Sequence, residues 1–256
     1  MKISIIIPCI NLWKEYTENC INSLVKQNLP FEDCQLDFII VDNGSKDETK
    51  EKIEEFIRQG LGFQLIRNEE NIGVANSWNL GIKKALEDEA DYILVINNDT
   101  VFQENCLKNL IDRFKKGDLI MISPINQPVE LFDKNNLCVD EINECDYSAF
   151  MIDKRLFELV GEFDEGFEKA YFEDNSMQRR INLSNLKSIK YPMAIYSHFG
   201  SRTQNQKPEG IVSHDLFRKN REYYIRKWGG PPRAEVYKNP FNDSTKSIKW
   251  TKQNNE

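Results

Sequence analysis

Ile3-Ser4-Ile5-Ile6-Ile7-Pro8 and, further along the chain, Tyr92-Ile93-Leu94-Val95-Ile96-Asn97-Asn98-Asp99 decide the fold. Each is an unbroken apolar, largely β-branched run with a hard stop, the pattern of a strand buried on both faces of a parallel sheet. Leu36–Val41, closing in Asp42-Asn43-Gly44-Ser45, and Phe63–Arg67 read the same way. Between these strands, Trp13–Gln27 places Tyr16, Cys20 and Leu24 at helical spacing and stops at Asn28-Leu29-Pro30. Lys46–Gln59 predicts a charged amphipathic helix, and Val74–Leu86 another that Asn71-Ile72-Gly73 opens. Strands alternating with helices of this length predict right-handed βαβ units and an open, mostly parallel α/β sheet. Ligands of such sheets bind beyond the carboxyl ends of the strands. Four polar clusters fall there: Pro8–Asn11, Asp42–Ser45, Asn68–Gly73 and Asn97–Asp99. They are expected to meet at one crevice.

After Val101 the alternation loosens. The spacing predicts a helix over Gln103–Lys115, a strand over Leu119–Ser123 and a loop-rich stretch over Asn126–Glu144. Glu173–Leu183 reads as helix, Ser188–Ser197 as strand and Ser213–Trp228 as helix. The organisation expected is a first half (1–100), a second half of the same domain (101–230) and a polar carboxyl-terminal extension (231–256), poorly ordered or loosely docked because it lacks apolar periodicity.

The 256 residues are 40% hydrophobic, enough for a core without disulfides, and the net charge of −7 gives no general attraction to nucleic acid or to an anionic membrane. Cys9, Cys20, Cys34, Cys106, Cys138 and Cys145 lie far apart, form no CxxC pair and suit a reducing, cytoplasmic setting. No run approaches the ~18 apolar residues of a membrane span. At most a peripheral contact with the inner membrane face is expected.

Several residues carry candidate chemistry. Asp99 ends a buried strand, where its carboxylate is free to bind a hard divalent cation; the same Asn98-Asp99-Thr100 also suits a plain helix cap. Asp42 is placed to accept from a nucleobase or ribose, although Asp-Asn-Gly-Ser is also strong turn chemistry. Ser45 and Glu48 have the spacing of a capping box. Asn71-Ile72-Gly73 offers free backbone N–H groups to a phosphate or sugar oxygen, without the spacing of a P-loop or a dinucleotide fingerprint. Glu173-Asp174 sits at a helix start, where carboxylates either complement the dipole or act as general base. His198 follows a strand as a metal ligand, a phosphate donor or a structural imidazole.

Taken together, Ser4–Asn11, Val41–Asp47, Asn71–Ala75 with Asn76 and Asn79, Asn97–Asp99, Gly161–Glu165 and Tyr171–Asp174 resemble the family 2 glycosyltransferases, especially their rhamnosyltransferase-like branch. The resemblance runs from about Ile3 to Trp228. It implies a GT-A fold and inverting transfer of a sugar from a nucleoside diphosphate sugar, UDP- or dTDP-linked, to a hydroxyl acceptor such as a glycan. It further implies that Pro8, Ile10, Asn11, Asp42, Asn43, Asn71, Gly73, Asn76 and Asn98 line the nucleotide-sugar site. Asp99 and His198 would hold Mn²⁺ or Mg²⁺, and Asp174, with Glu173 beside it, would supply the catalytic base. Two positions depart from the family pattern: Asn97 stands where the metal motif has its first acid, and Ser176 where a second acid often follows the base. A sugar-phosphate nucleotidyltransferase would need a glycine-rich basic loop after strand one, which Pro8-Cys9-Ile10-Asn11 is not. A non-catalytic nucleotide-sugar-binding protein is the reading that the depleted metal motif keeps open.

Overall fold

The computed structural model describes residues 1–27, 34–60, 62–127, 140–200 and 213–252. Asn28-Leu29-Pro30, most of the loop-rich stretch after Asn126, Cys138 and the residues just after Gly200 lie outside these. The first half alternates as its apolar runs require: β1 (Lys2–Cys9), α1 (Glu18–Val25), β2 (Gln35–Asp42), α2 (Thr49–Arg58), β3 (Phe63–Arg67), α3 (Val74–Glu87) and β4 (Tyr92–Ile96). A π-helical turn, Trp13–Thr17, leads into α1. The second half adds β5 (Thr100–Phe102), α4 (Cys106–Phe114), β6 (Met121–Asn126), β7 (Ile142–Asn143), β8 (Ala149–Ile152), α5 (Leu156–Val160), α6 (Glu173–Leu183), β9 (Ser188–His198) and α7 (His214–Trp228).

The strands form one sheet in the order β3-β2-β1-β4-β8-β6-β9-β5, with β7 on β9. From β3 to β4 every pairing is parallel, with Cys9 opposite Asp42 and Asp42 opposite Arg67. The carboxyl ends of these strands therefore share one edge. Beyond β4 the sheet becomes mixed: β8 runs antiparallel to both β4 and β6, while β6 and β9 are parallel. Sequence reading missed β5, β7, β8 and α5, each too short to show a period. One apolar layer, including Ile5, Ile7, Leu24 and Leu110, covers one face; Ile6, Trp78, Ile82, Phe150 and Phe163 cover the other.

Two expectations are corrected. The capping box at Ser45 and Glu48 does not form. The Ser45 hydroxyl accepts the Asn11 N–H at 2.8 Å instead, and Asp47 Oδ1 takes the Thr49 N–H (3.1 Å) and hydroxyl (2.5 Å), so α2 starts three residues later than Ser45 would start it. The described part of the tail, 231–252, is not loosely docked. Trp250 is 5% exposed, its carbonyl accepts the Glu162 N–H at 2.8 Å, and its own N–H reaches the Val160 carbonyl at 3.3 Å. This close approach passes over Gly161, where any Cβ would strike the Trp250 backbone. A single buried tryptophan on a backbone bridge leaves no periodic signature, which is why composition misjudged it. Trp250→Ala is expected to lower unfolding free energy by about 3 kcal/mol, the low end for emptying a buried tryptophan site. Urea denaturation measures this, and a loss below about 1 kcal/mol would mean that the tail is held by other contacts.

Candidate active site

Parallel register brings the four predicted clusters to one edge. At the end of β2, Asp42 is fully buried. Its Oδ1 accepts the Ser45 N–H at 2.9 Å, and its Oδ2 pairs with the Arg67 guanidinium from the end of the neighbouring strand. Arg67 also donates to the Ser45 carbonyl at 2.9 Å. Asn11, in a left-handed conformation (φ 52°), accepts the Lys46 N–H at 2.7 Å through its side chain, tying the β1 loop to the β2 loop. Asn43 links further: its amide donates to Ser77 Oγ at 2.8 Å and its carbonyl oxygen accepts from Asn68 at 3.0 Å. Ile10 is buried under this loop, and Pro8 is half-buried where β1 leaves the sheet.

Asn71 Oδ1 accepts the Gly73 N–H at 2.9 Å, and Gly73 (φ 90°) opens α3 against Lys169, whose backbone a Cβ would touch. Asn76 turns its amide back to the Ile72 carbonyl at 3.0 Å, so it serves the helix start. Asp42 and Asn76 are thus engaged with the protein itself. Arg67, which sequence reading passed over, is the partly exposed group at that wall; an arginine in register with a strand-end aspartate was its signal.

Opposite these loops, Asp99 is 4% exposed and stands beside His198, with Oδ1 3.1 Å from Nε2. The pair is set by backbone: Thr100 lies across from His198 in the β5–β9 ladder, and Phe199 N–H donates to the Asp99 carbonyl at 3.0 Å. Burial pulls the His198 pKa down, but the hydrogen bond and charge of Asp99, with Asp146 farther off, raise it above the ordinary histidine value. Asn98 donates to Thr17 Oγ1 at 2.9 Å and is buried. Among the described residues no set of three His, Cys, Asp or Glu side chains is arranged to hold a metal. One carboxylate and one imidazole side by side fit a cation that arrives with phosphate oxygens and keeps several waters, not a self-sufficient metal cage.

Glu173 and Asp174 start α6 after a backbone turn in which Tyr171 (φ 81°) and Phe172 (φ 77°) are both left-handed. Two consecutive aromatics in this region are sterically costly, and such strain gathers where a site must be held in place. The structure separates the acidic pair. Glu173 turns inward, 6% exposed, with Oε2 buried and without a partner among the described residues. Its carboxyl is pushed well up by burial and then by the Asp174 charge. Asp174 remains half-buried, with Oδ1 accepting the Asn175 N–H at 2.7 Å. Burial raises its pKa, backbone N–H groups at the helix start lower it in part, and the Asp146 charge raises it again.

Asp146 acts electrostatically on both His198 and Asp174 and raises the pKa of each. Its Oδ1 accepts the Ser148 N–H (3.0 Å) and hydroxyl (2.6 Å), while the Ser148 carbonyl accepts the Asn97 N–H at 2.8 Å. Sequence reading missed it; Asp-Tyr-Ser turn chemistry ahead of a short strand was the only cue.

With this geometry in view, comparison with known proteins settles the class. The solved structure of GalNAc-T7 with UDP, GalNAc and Mn²⁺ superposes with a TM-score of 0.70 at 17% identity, covering 89% of this chain and 49% of that one. The fold is the GT-A glycosyltransferase fold. The family model "Glycosyl transferase family 2" matches residues 4–164, and the chain belongs to that family. Glycosyltransferase GlyG of Streptococcus pneumoniae is 28% identical over 116 residues, 45% of this chain and 36% of that protein. A poly-beta-1,6-N-acetyl-D-glucosamine synthase of Staphylococcus epidermidis is 32% identical over 115 residues, 45% of this chain and 26% of that protein. The matches thus span about a third or less of these relatives.

Arg67→Met should leave the buried Asp42 charge with only the Ser45 N–H. A loss of about 3 kcal/mol in unfolding free energy is expected, the low end for removing one partner of a buried pair, since Arg67 is itself partly solvated. Equilibrium denaturation reads this directly, and an unchanged midpoint would show that Asp42 does not depend on its arginine.

Proposed function

We propose that this protein is an inverting glycosyltransferase that moves a sugar from a UDP- or dTDP-linked donor to a hydroxyl of a glycan or glycoconjugate. The reading is supported by the buried Asp99–His198 pair just beyond the end of β4 and by Asp146, which acts electrostatically on both His198 and Asp174. Family 2 membership and the UDP and Mn²⁺ in the GalNAc-T7 structure support it. Likeness to a polysaccharide synthase favours work in polysaccharide biosynthesis. No helix of the described residues is long and apolar enough to cross a membrane, which accords with a cytoplasmic enzyme that meets the membrane peripherally.

In this reading Pro8, Ile10, Asn11, Asp42 and Asn43 shape the nucleotide wall, with Arg67 locking Asp42 in place. Asn71, Gly73 and Asn76 hold the start of α3 against the donor, and Asn98 steadies the strand end beside Asp99. Asp99 and His198 would hold Mn²⁺ or Mg²⁺ together with the donor diphosphate. A bound cation offsets the negative charge that develops on the leaving diphosphate. Asp174 accepts the proton of the acceptor hydroxyl while that oxygen bonds to the anomeric carbon and the anomeric bond to the diphosphate breaks. Glu173 is turned into the interior, where burial raises its carboxyl well above the usual value, so Asp174 is the acid of the pair assigned to this proton.

Asp174→Asn is expected to slow transfer by roughly 10²- to 10⁴-fold while donor binding persists, the loss that accompanies removal of a general base. Turnover measured by nucleoside diphosphate release tests this, and near-normal rates would end the assignment. A pH profile gives a second test. Asp174 must be ionised to act, and its raised pKa moves the acid limb of kcat/KM above the ordinary aspartate value. Asp146→Asn removes a negative neighbour, eases ionisation of Asp174 and should move that limb to lower pH. A limb that stays put would show that Asp174 is not the titrating base. EDTA should abolish turnover if Asp99 and His198 work through a cation.

A further inference from the structure

We propose that the cavity between α6 and the carboxyl-terminal tail binds a neutral, hydroxyl-rich saccharide, the chain that presents the acceptor hydroxyl. The proposal rests on the transferase reading above. The cavity is about 400 Å³, within the size range of small-molecule sites. Its floor is one face of α6, formed by Asn175, Gln178, Arg179 and Asn182. Its walls are Glu144 on one side and Arg233 and Glu235 of the tail on the other.

Position ties this cavity to the reacting centre. Residues four apart share a helix face, so Asp174, Gln178 and Asn182 form a single ridge, and the proposed base stands at the head of the cavity floor. From Asn175 to Asn182 the floor runs about 10 Å at 1.5 Å per residue, enough for more than one sugar ring. Glu144, on the facing wall, is two residues from Asp146, which acts electrostatically on Asp174.

Chemistry selects the ligand. Glu144 and Glu235 balance Arg179 and Arg233, and Arg233 already pairs with Glu144 at 3.1 Å, so the lining carries no net charge to attract a phosphate or a polyanion. Apart from Pro232 it presents polar side chains, which disfavours an apolar guest. Two donors await a partner among the described residues. Arg179 Nε is buried and unpaired, while its Nη2 is fixed by the Tyr237 carbonyl at 2.9 Å. The half-buried Asn175 side-chain amide likewise has no partner among the described residues. The Gln178 amide is taken up by Asn182, Ser188 and Tyr147, but a fixed guanidinium, the Asn175 amide and the carboxylates together match vicinal hydroxyls, which both donate and accept. Almost all of the site comes from residues after 164, beyond the family match, and the Trp250 anchor gives the tail a fixed course beside it.

The test uses immobilised chitotriose, cellotriose and mannotriose, with a heparin tetrasaccharide as anionic probe, and no nucleotide. Wild type should be retained on at least one neutral trisaccharide and not on the heparin fragment. The double variant Asn175→Ala/Arg179→Lys should lose about tenfold in retention, the change expected when one or two hydrogen bonds go. Arg233→Ala, whose side chain is largely solvated, gives a second variant that should fold normally and bind more weakly. Circular dichroism confirms the fold of each. Absence of retention on every neutral sugar, stronger binding to heparin, or variants that bind as wild type does would each overturn the proposal. Sugar retention in a protein that never turns over a nucleotide sugar would count against the transferase reading while supporting this site.

Discussion

Asp42 is a fully buried carboxylate at the last position of a parallel strand, and the donor side of the crevice depends on how it is neutralised. A charge that deep is tolerable only with close partners. Its partners come from two different places: the Ser45 N–H from the loop that follows it, and Arg67 from the end of the adjacent strand. Ser45 in turn holds Asn11, whose side chain holds Lys46. One electrostatic requirement thus fixes three loops relative to one another. The crevice owes its shape to this chain of contacts as much as to the sheet beneath.

The opposite side is organised by the change from parallel to mixed pairing after β4. Reversal of β8 brings Ser148 and Asp146 alongside Asn97, and the β5–β9 ladder brings His198 onto Asp99. Because strand ends from both halves of the sheet open on this edge, acids far apart in sequence influence one another. Asp146 raises Asp174 as well as His198, a coupling that neither local motif contains.

The strained turn at Tyr171 and Phe172 gives two neighbouring carboxyls opposite fates. Glu173 faces the interior, where burial raises its pKa well up, and Asp174 stays half-buried at the positive end of the α6 dipole. The same helix then continues as the floor of the polar cavity, and the tail beside it is held by the Val236 and Tyr237 N–H groups on the Trp228 carbonyl and by Arg179 on the Tyr237 carbonyl.

The parallel half was legible in local sequence. Runs such as Ile3–Ile7 and Tyr92–Ile96 suit strands buried within a sheet, their polar stops, Asp42 and Asp99 among them, mark one edge, and the family resemblance added Asp174 and His198 as candidate site residues. Period and turn chemistry are local, so they were legible. Only the tertiary fold set the partners: Arg67 on Asp42, His198 on Asp99, Ser45 on Asn11 in place of a helix cap, and Trp250 on Gly161. Each of these is a contact between distant segments whose free energy depends on burial and close approach, and neither quantity has any signature in a local window of sequence.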